Sequence, residues 1–310
     1  MVEQTLRDAR VLVTGARGFI GGHLTDRLTR DGASVIGISS HPRPPAKIGV
    51  TWRRTDLASG EAVRHLIGGE RPDVIFHLAG RVTGAQSLEN VTPTFADNLA
   101  STVHLLSAAA EIKVRRILLT GSMQEPDQAD PQSFPCSPYA ASKWACGGYA
   151  RMFYMLYGLP VVIARPMMVY GPGQWDLTKL LPYVATSLIA DTSPRLTTGT
   201  REMDWVFVDD VVDGLLAVAE SSDTDGQSID LGSGVLTSIR TVVEHLVRLI
   251  GPRVEIQFGA IPDRPYERPR AAQSHDTERL IGWSAKTALE DGLRQTVGWY
   301  RDTWSSLKPV

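Results

Sequence analysis

Val11-Leu12-Val13-Thr14-Gly15-Ala16-Arg17-Gly18-Phe19-Ile20-Gly21 reads as a buried strand, a glycine turn and the start of a helix. The run from Val11 to Thr14 is apolar or β-branched, as suits a strand covered on both faces. Glycines at a G-x-x-G-x-x-G spacing follow it directly. The first permits a tight turn, the second lets backbone approach a pyrophosphate, and the third lets helix and strand pack closely. The helix then presents its positive end to the phosphates. A strand–helix turn without a ligand can also use glycine, and the spacing departs from the commoner G-x-G-x-x-G. Context favours a dinucleotide: a clean strand precedes the turn, and the helix after it, 20–31, carries Leu24 and Leu28 on one face.

Working outward, short runs rich in Val and Ile recur at 34–39, 73–78, 116–120 and 160–165. Helical patterns at 95–111 and 139–156 lie between them. Strands of this kind alternating with helices predict an α/β fold, a Rossmann-type doubly wound parallel sheet. After Pro166 the regularity breaks. Gly171-Pro172-Gly173 is a turn, and Pro182, Pro194 and residues 197–200 mark irregular connections. A strand at 205–208, a helix at 209–220 and a strand at 228–231 follow. A capped amphipathic helix at 238–250, a proline- and arginine-rich loop at 262–270 and a helix at 289–304 complete the chain. The expected division is a dinucleotide-binding domain over 1–165, with 205–235 returning to it. A smaller, partly interleaved C-terminal substrate region covers 166–204 and 236–310. Ligands of such sheets sit outside the carboxyl ends of the strands, so the second region is expected to shape the substrate site.

The end of the second strand bears on cofactor choice. A carboxylate there would bond the ribose 2′-hydroxyl of NAD, whereas an arginine accommodates the 2′-phosphate of NADP. The chain reads Ile38-Ser39-Ser40-His41-Pro42-Arg43, and Arg17 sits inside the glycine turn. Small hydroxyls with arginines nearby lean toward NADP. The alternative is that Arg17 and Arg43 are simply solvated.

Ser137-Pro138-Tyr139-Ala140-Ala141-Ser142-Lys143 begins a helix on which Tyr139 and Lys143 share one face. A phenol titrates near ~10, too high to shuttle a proton at neutral pH, and a neighbouring lysine cation favours the phenolate. Tyr139 thereby becomes a candidate general acid/base. Y-x-x-x-K alone is common on surfaces; following a glycine-turn half-domain it carries far more weight.

Composition excludes other classes. In 310 residues there are 32 Lys and Arg against 34 Asp and Glu, which leaves no basic footprint for nucleic acid. Cys136 and Cys146 are too few for a disulfide framework or a structural zinc site. No apolar run reaches the ~20 residues of a membrane span, and residues 1–10 lack a signal-peptide core. The expectation is a cytoplasmic enzyme with no metal and neither a nucleic-acid nor a membrane partner.

Taken together, these motifs resemble the short-chain dehydrogenase/reductase superfamily, in its extended branch that modifies nucleotide-diphosphate sugars. Further matches are Thr55-Asp56-Leu57, His77-Leu78-Ala79-Gly80, Asn98 with Thr102, and Ser122. Arg165-Pro166, Tyr170-Gly171-Pro172-Gly173-Gln174, 204–211, Gly282-Trp283 and 289–293 continue the resemblance over nearly the whole chain. It implies that Tyr139 is the acid/base, that Lys143 orients the nicotinamide ribose, and that Ser122 bonds the reacting oxygen. It further implies cofactor contacts from Gly15, Arg17, Gly18, Phe19, Ile20, Gly21, Ser39, Ser40, Arg43, Asp56 and Leu57. Leu78, Ala79, Gly80, Asn98, Thr120 and Pro166 extend that set. Arg81, Met123, Gln124, Met168, Lys179, Arg201 and Arg264 are the implied substrate contacts, and a homodimer is the implied assembly.

The chain departs from the pattern at two places. Dehydratases of this branch follow the Ser or Thr with acids that eliminate water, but here the run is Ser122-Met123-Gln124-Glu125. Met and Gln cannot act as acid or base, so dehydration is disfavoured unless Glu125 rotates into the site. At the nucleotide end, Met168 and Met203 stand where an asparagine and an arginine are usual, leaving Arg201 and Arg264 as candidate diphosphate ligands with Lys179 further off. The leading expectation is an NAD(P)-dependent reductase of a keto-sugar carried on a nucleotide, with a nucleotide-sugar epimerase as the alternative. A non-catalytic dinucleotide sensor is the reading from a different class.

Overall fold

The computed structural model describes residues 5–40, 48–127, 130 and 132–307, without the side chains of 305–307. The first part of the chain runs β1 (Arg10–Thr14), α1 (Phe19–Arg30), β2 (Ser34–Ser39), β3 (Val50–Arg54), α2 (Gly60–Glu70) and β4 (Val74–His77). A single 3-10 turn (Leu88–Asn90) leads into α3 (Val91–Thr94), a π-helical stretch (Phe95–Ala100) and α4 (Ser101–Ala110). Then come β5 (Arg116–Thr120), α5 (Pro138–Tyr157), β6 (Val161–Pro166), β7 (Met168–Tyr170), α6 (Leu180–Ile189), β8 (Glu202–Phe207) and α7 (Val208–Glu220). The last elements are β9 (Ser228–Leu231), β10 (Leu236–Ser238), α8 (Ile239–Ile250), α9 (Ser274–Ile281) and α10 (Leu289–Leu307).

The chain forms two compact units, each built from separated stretches. Unit 1 comprises Met1–Pro166, Val212–Asp230 and Asp276–Trp283; unit 2 comprises Met167–Val211, Leu231–His275 and Ser284–Val310.

The sheet of unit 1 has the order β3-β2-β1-β4-β5-β6-β9. Pairing is parallel from β3 across to β6. Alternate residues serve opposite faces. Leu12, Ile36, Ile75, Ile117 and Val161 join one core with Val63 and Leu66 of α2, Leu105 and Leu106 of α4, and Phe153 of α5. Val11, Val13, Val35 and Leu118 lie outside that core and are equally buried, as are Leu24 and Leu28 of α1. Burial of both faces explains why these strands are almost continuously apolar. The order reverses between β1 and β4, and a crevice forms at the carboxyl ends of strands at such a switch point.

Unit 2 contains a three-stranded sheet, β10-β8-β7, in which β8 runs parallel to β7 and antiparallel to β10. Helices α6, α8 and α10 pack on one another. The Asp204 carboxylate, fully buried in β8, accepts bonds from the amides of Ser233, Gly234 and Ala272 and from the Ser233 hydroxyl at 2.7–2.9 Å. That fixes the 233–234 turn and the 272 segment on one anion, whose charge is stabilised by several donors at once.

Several sequence expectations are corrected here. The stretch 95–111 is not one α-helix, because its first part widens into the π-helical turn. Pro182 does not mark an irregular connection: it lies in the first turn of α6, where a missing amide leaves no bond unmade. The strand read at 205–208 as returning to the first domain belongs instead to the separate sheet of β7, β8 and β10. Among the described residues no helix is long and apolar enough to cross a membrane.

Candidate active site

In unit 1 the glycine turn is shaped as its spacing demands. Gly15 has φ 66°, and a Cβ there would lie 2.7 Å from the Ala79 amide nitrogen. A Cβ on Gly21 would overlap the Gly15 carbonyl oxygen, so α1 can approach the turn only at glycine. Gly18 caps α1 without a side-chain bond, which leaves the amides of Phe19, Ile20 and Gly21 in the first turn available to an anion.

Beside the turn lies a cleft of about 420 Å³. It is lined by Gly15, Arg17, Ser39, Ser40, Asp56, Leu57, Ala79, Gly80 and Arg81, which the sequence singled out from four separate segments. Thr55, quoted with Asp56 and Leu57, lines it as well, as do Ala58, Asp97 and Ser101, which were not foreseen. Ala58 adjoins the expected step; Asp97 lies in the π-helical stretch and Ser101 directly follows it. The Asp56 carboxylate accepts from the Ala58 amide at 3.0 Å, and the Arg81 guanidinium pairs with Asp97 at 2.8 Å. Arg43 lies outside the described residues. Glycines where backbone must approach, hydroxyls at the end of β2 and an uncapped helix make this cleft a fit for a dinucleotide.

Behind the cleft is a buried polar layer. The His77 ring meets Thr14 Oγ1 at 2.8 Å and Thr102 Oγ1 at 3.1 Å. Burial, and secondarily the Lys143 cation, pushes its pKa down to about 3. Asn98 Oδ1 accepts from the Arg81 amide at 2.7 Å, while its Nδ2 donates to the Arg81 carbonyl at 3.1 Å and to Ser142 Oγ at 3.0 Å. Cys146, whose thiol is pushed up mainly by burial, sits against Thr102. His77 is thus a satisfied buried histidine, and Thr14 and Ser142, quoted within their motifs without a role, are part of the layer around it.

The hydroxyl-bearing groups come from two elements. Ser137 caps α5 by accepting from the Ala140 amide at 3.1 Å, and Pro138 starts the helix where its missing amide costs nothing. Tyr139 and Lys143 follow on adjoining turns, each at most 9% exposed. Lys143 Nζ donates to the Thr120 carbonyl at 2.8 Å and to Thr120 Oγ1 at 3.3 Å. The Tyr139 phenol makes no hydrogen bond to the described residues.

Ser122 follows β5, and its Oγ accepts from the Gln124 amide at 3.2 Å, which leaves its own proton to donate. Glu125 Oε1 accepts from the Ser122 amide at 2.7 Å, and Oε2 faces Arg165 Nη1 at 3.9 Å. Arg165 Nε in turn donates to Asp230 at 2.7 Å. Glu125 is therefore a brace for the Ser122 turn, and it is almost fully buried. Met123 is buried, Gln124 half-buried, and Pro166 closes β6 as a buried residue.

In unit 2, Arg201 and Arg264 meet on one buried carboxylate, Glu267. Arg264 Nη1 lies 3.7 Å from Glu267 Oε1, and Arg201 pairs with the other oxygen. Glu267 was missed, although an acid inside the Arg264-Pro265-Tyr266-Glu267-Arg268 run is a legible sign of ion pairing. Met168 is half-buried in β7, and Lys179 stands before α6 with its Nζ 3.6 Å from Asp176. Among the described residues no group of three or more His, Cys, Asp or Glu side chains is placed to hold a metal ion.

Known proteins resemble this chain in sequence and in fold. A sequence profile described as the NAD dependent epimerase/dehydratase family matches residues 11–232. UDP-glucose 4-epimerase of Mycolicibacterium smegmatis is 31% identical over 313 residues, covering 94% of this chain and 99% of that protein. A dTDP-D-glucose 4,6-dehydratase of Bos taurus is 25% identical over 324 residues, 96% of this chain and 90% of that one. Among solved structures, the UDP-glucose 4-epimerase of Thermus thermophilus in complex with NAD has a TM-score of 0.84 at 26% identity, covering 94% of this chain and 99% of that chain.

Proposed function

This chain belongs to the NAD dependent epimerase/dehydratase family, an enzyme family of the extended short-chain dehydrogenase/reductase type, and from that premise we propose that it epimerises a nucleoside-diphosphate hexose at C4. Tyr139 takes the hydroxyl proton and later returns it. Ser122 donates to the same oxygen, which carries developing negative charge in the transition state and needs a fixed donor. Lys143 supplies a cation beside that proton transfer. NAD held at the Gly15–Gly21 turn would supply a reversible hydride acceptor for the sugar carbon, and return of the hydride to the opposite face of the keto-sugar would invert C4. The glycine turn of unit 1 carries the dinucleotide, and Arg201 and Arg264 are the proposed diphosphate ligands.

The observation that carries this reading is the commitment of Glu125. It is the one carboxylate in the Ser122–Glu125 turn, and it is bonded to the Ser122 amide and set against Arg165. No acid in that turn is left to eliminate water, whereas inversion at C4 requires none beyond Tyr139. The similarity to a UDP-glucose 4-epimerase over almost the full length of both chains supports the same choice.

A second reading, reduction of a keto-sugar with NADPH, is favoured by the end of β2. Ser39 and Ser40 stand there without a carboxylate, and Arg17 lines the same cleft. Mass spectrometry of the purified protein, followed by incubation with UDP-glucose and UDP-galactose, separates the readings. Retained NAD and interconversion without added reductant support the epimerase. Consumption of NADPH with a 4-keto nucleotide-sugar and no interconversion supports the reductase. Neither activity would sink both. We further propose a homodimer that buries the exposed Phe95, Trp144 and Met155 side chains, in the cytoplasm, where the Cys136 and Cys146 thiols stay reduced.

A further inference from the structure

The bonds around His77 permit one pattern of protons. Thr102 Oγ1 donates its single hydrogen to the Asn98 carbonyl at 2.6 Å. Toward His77 Nε2, 3.1 Å away, it can then only accept, so Nε2 carries a proton. Thr14 Oγ1 accepts from the Ala79 amide at 3.1 Å, and its own hydrogen has one acceptor, His77 Nδ1 at 2.8 Å. Nδ1 is therefore bare. The two threonines, on different elements, impose the same tautomer independently, and an imidazolium would leave the Thr14 hydrogen without an acceptor.

Three arms radiate from this ring and its backbone. The first runs through Thr14 to the Ala79 amide. The second runs through Thr102 to the Asn98 main chain, and the Asn98 side chain clamps both backbone groups of Arg81 and reaches Ser142. Ser142 Oγ in turn donates to the Tyr139 carbonyl at 2.8 Å. In the third, the His77 carbonyl accepts from Thr120 Oγ1 at 3.1 Å, and Thr120 receives Lys143 Nζ through that oxygen and its carbonyl. Every group in these arms comes from unit 1.

We propose that His77, as the neutral Nε2–H tautomer, is a positioning residue whose ring holds the Ala79–Arg81 backbone in one geometry for a dinucleotide, while its main-chain carbonyl anchors Thr120 beside Lys143. The proposal rests on the family reading above for the identity of the ligand. An apolar residue of equal size would fill the space but let go of Thr14 and Thr102. Thr14 would then turn its hydrogen elsewhere and Thr102 would lose the donor to its oxygen, so Asn98 and Ala79 would lose a shared reference point.

The test has two parts. In protein labelled with 15N-histidine, long-range 1H–15N spectra report the tautomer, and the His77 signal is identified among the seven histidines by its loss in His77→Phe. A neutral ring protonated at Nε2 and unchanged from pH 5 to 9 is expected; an Nδ1–H ring or a titrating one overturns the proposal. Separately, NAD+ binding is measured by calorimetry for wild type, His77→Phe, His77→Asn and the core control Leu66→Ala. His77→Phe is expected to lose at least tenfold in affinity. His77→Asn, which can still accept from Thr14, should recover part of it. Leu66→Ala should lower the melting temperature without this loss. Equal affinity in His77→Phe, or a loss of the same size in Leu66→Ala, overturns the proposal. If wild type binds neither NAD+ nor NADP+, the family-based reading of function fails instead, and the tautomer alone then decides whether His77 is the hub.

Discussion

Burial keeps the His77 imidazole neutral at about pKa 3, with desolvation as the larger cause and the Lys143 cation the smaller. In the unfolded chain the same ring titrates near ~6.5. Above that pH both states are neutral and this group has no effect on stability. Below it the unfolded state takes a proton that the folded state refuses, so stability falls as pH drops from about 6.5 toward 3, by roughly 1.4 kcal/mol per pH unit from this ring. Urea unfolding of wild type and His77→Phe between pH 7.5 and 4.5 should therefore give a shallower acid slope in the variant; identical slopes would refute this account. Tyr139→Phe removes only a hydroxyl that bonds to none of the described residues. Its melting temperature should stay close to wild type while kcat drops by about 10²- to 10⁴-fold, measured as steady-state turnover. Retained turnover would reject Tyr139 as the acid/base. The glycine turn and the Tyr139–Lys143 pair were legible because their geometry is local, fixed by spacing on one turn or one helix face. The partners of His77 were not, because Thr14, Thr102 and Thr120 are brought to it by β1, α4 and β5.

Helix α5 places Tyr139 in its first turn, immediately behind the Ser137 cap. Ser137→Ala removes the acceptor for the Ala140 amide, at a cost of about 1 kcal/mol. The expected result is a modest fall in denaturant midpoint together with a lower kcat, since fraying begins at the residue that moves the proton. An unchanged kcat at equal loss of stability would show that the first turn is held by packing alone. Elements with strong periodicity were readable, whereas others, β3, α2 and α6 among them, escaped for physical reasons. β3 is an edge strand, and its Trp52-Arg53-Arg54 end is too polar to look buried. α2 contains Gly60, Gly68 and Gly69, which weaken its helical signature and leave the Ser59 cap as its clearest marker. α6 begins with Pro182 in its first turn, where proline is tolerated but reads as a break. The π-helical stretch is a tertiary choice. It turns Asn98 into the buried layer, where its side chain satisfies both Arg81 backbone groups.

The molecule as a whole exposes Phe95, Trp144, Tyr149 and Met155 from the π-helical stretch and α5. Apolar side chains concentrated on exposed helices suit an interface between copies. Light scattering should give twice the chain mass, and Trp144→Glu should shift it toward one chain mass; a wild-type monomer would reject the assembly. The alternation of strands and helices made the fold class readable at this scale. The pairing of Arg201 and Arg264 through Glu267 was not, since it joins residues more than sixty positions apart.

The interleaving of the two units also sets a timetable for the nascent chain. Unit 1 takes its last stretch from Asp276–Trp283, after most of unit 2 has already left the ribosome. A growing chain therefore carries an unfinished unit 1 until Trp283 has been made. Any stop or cut before Trp283 leaves both halves incomplete, so neither can be produced by simple truncation of the gene.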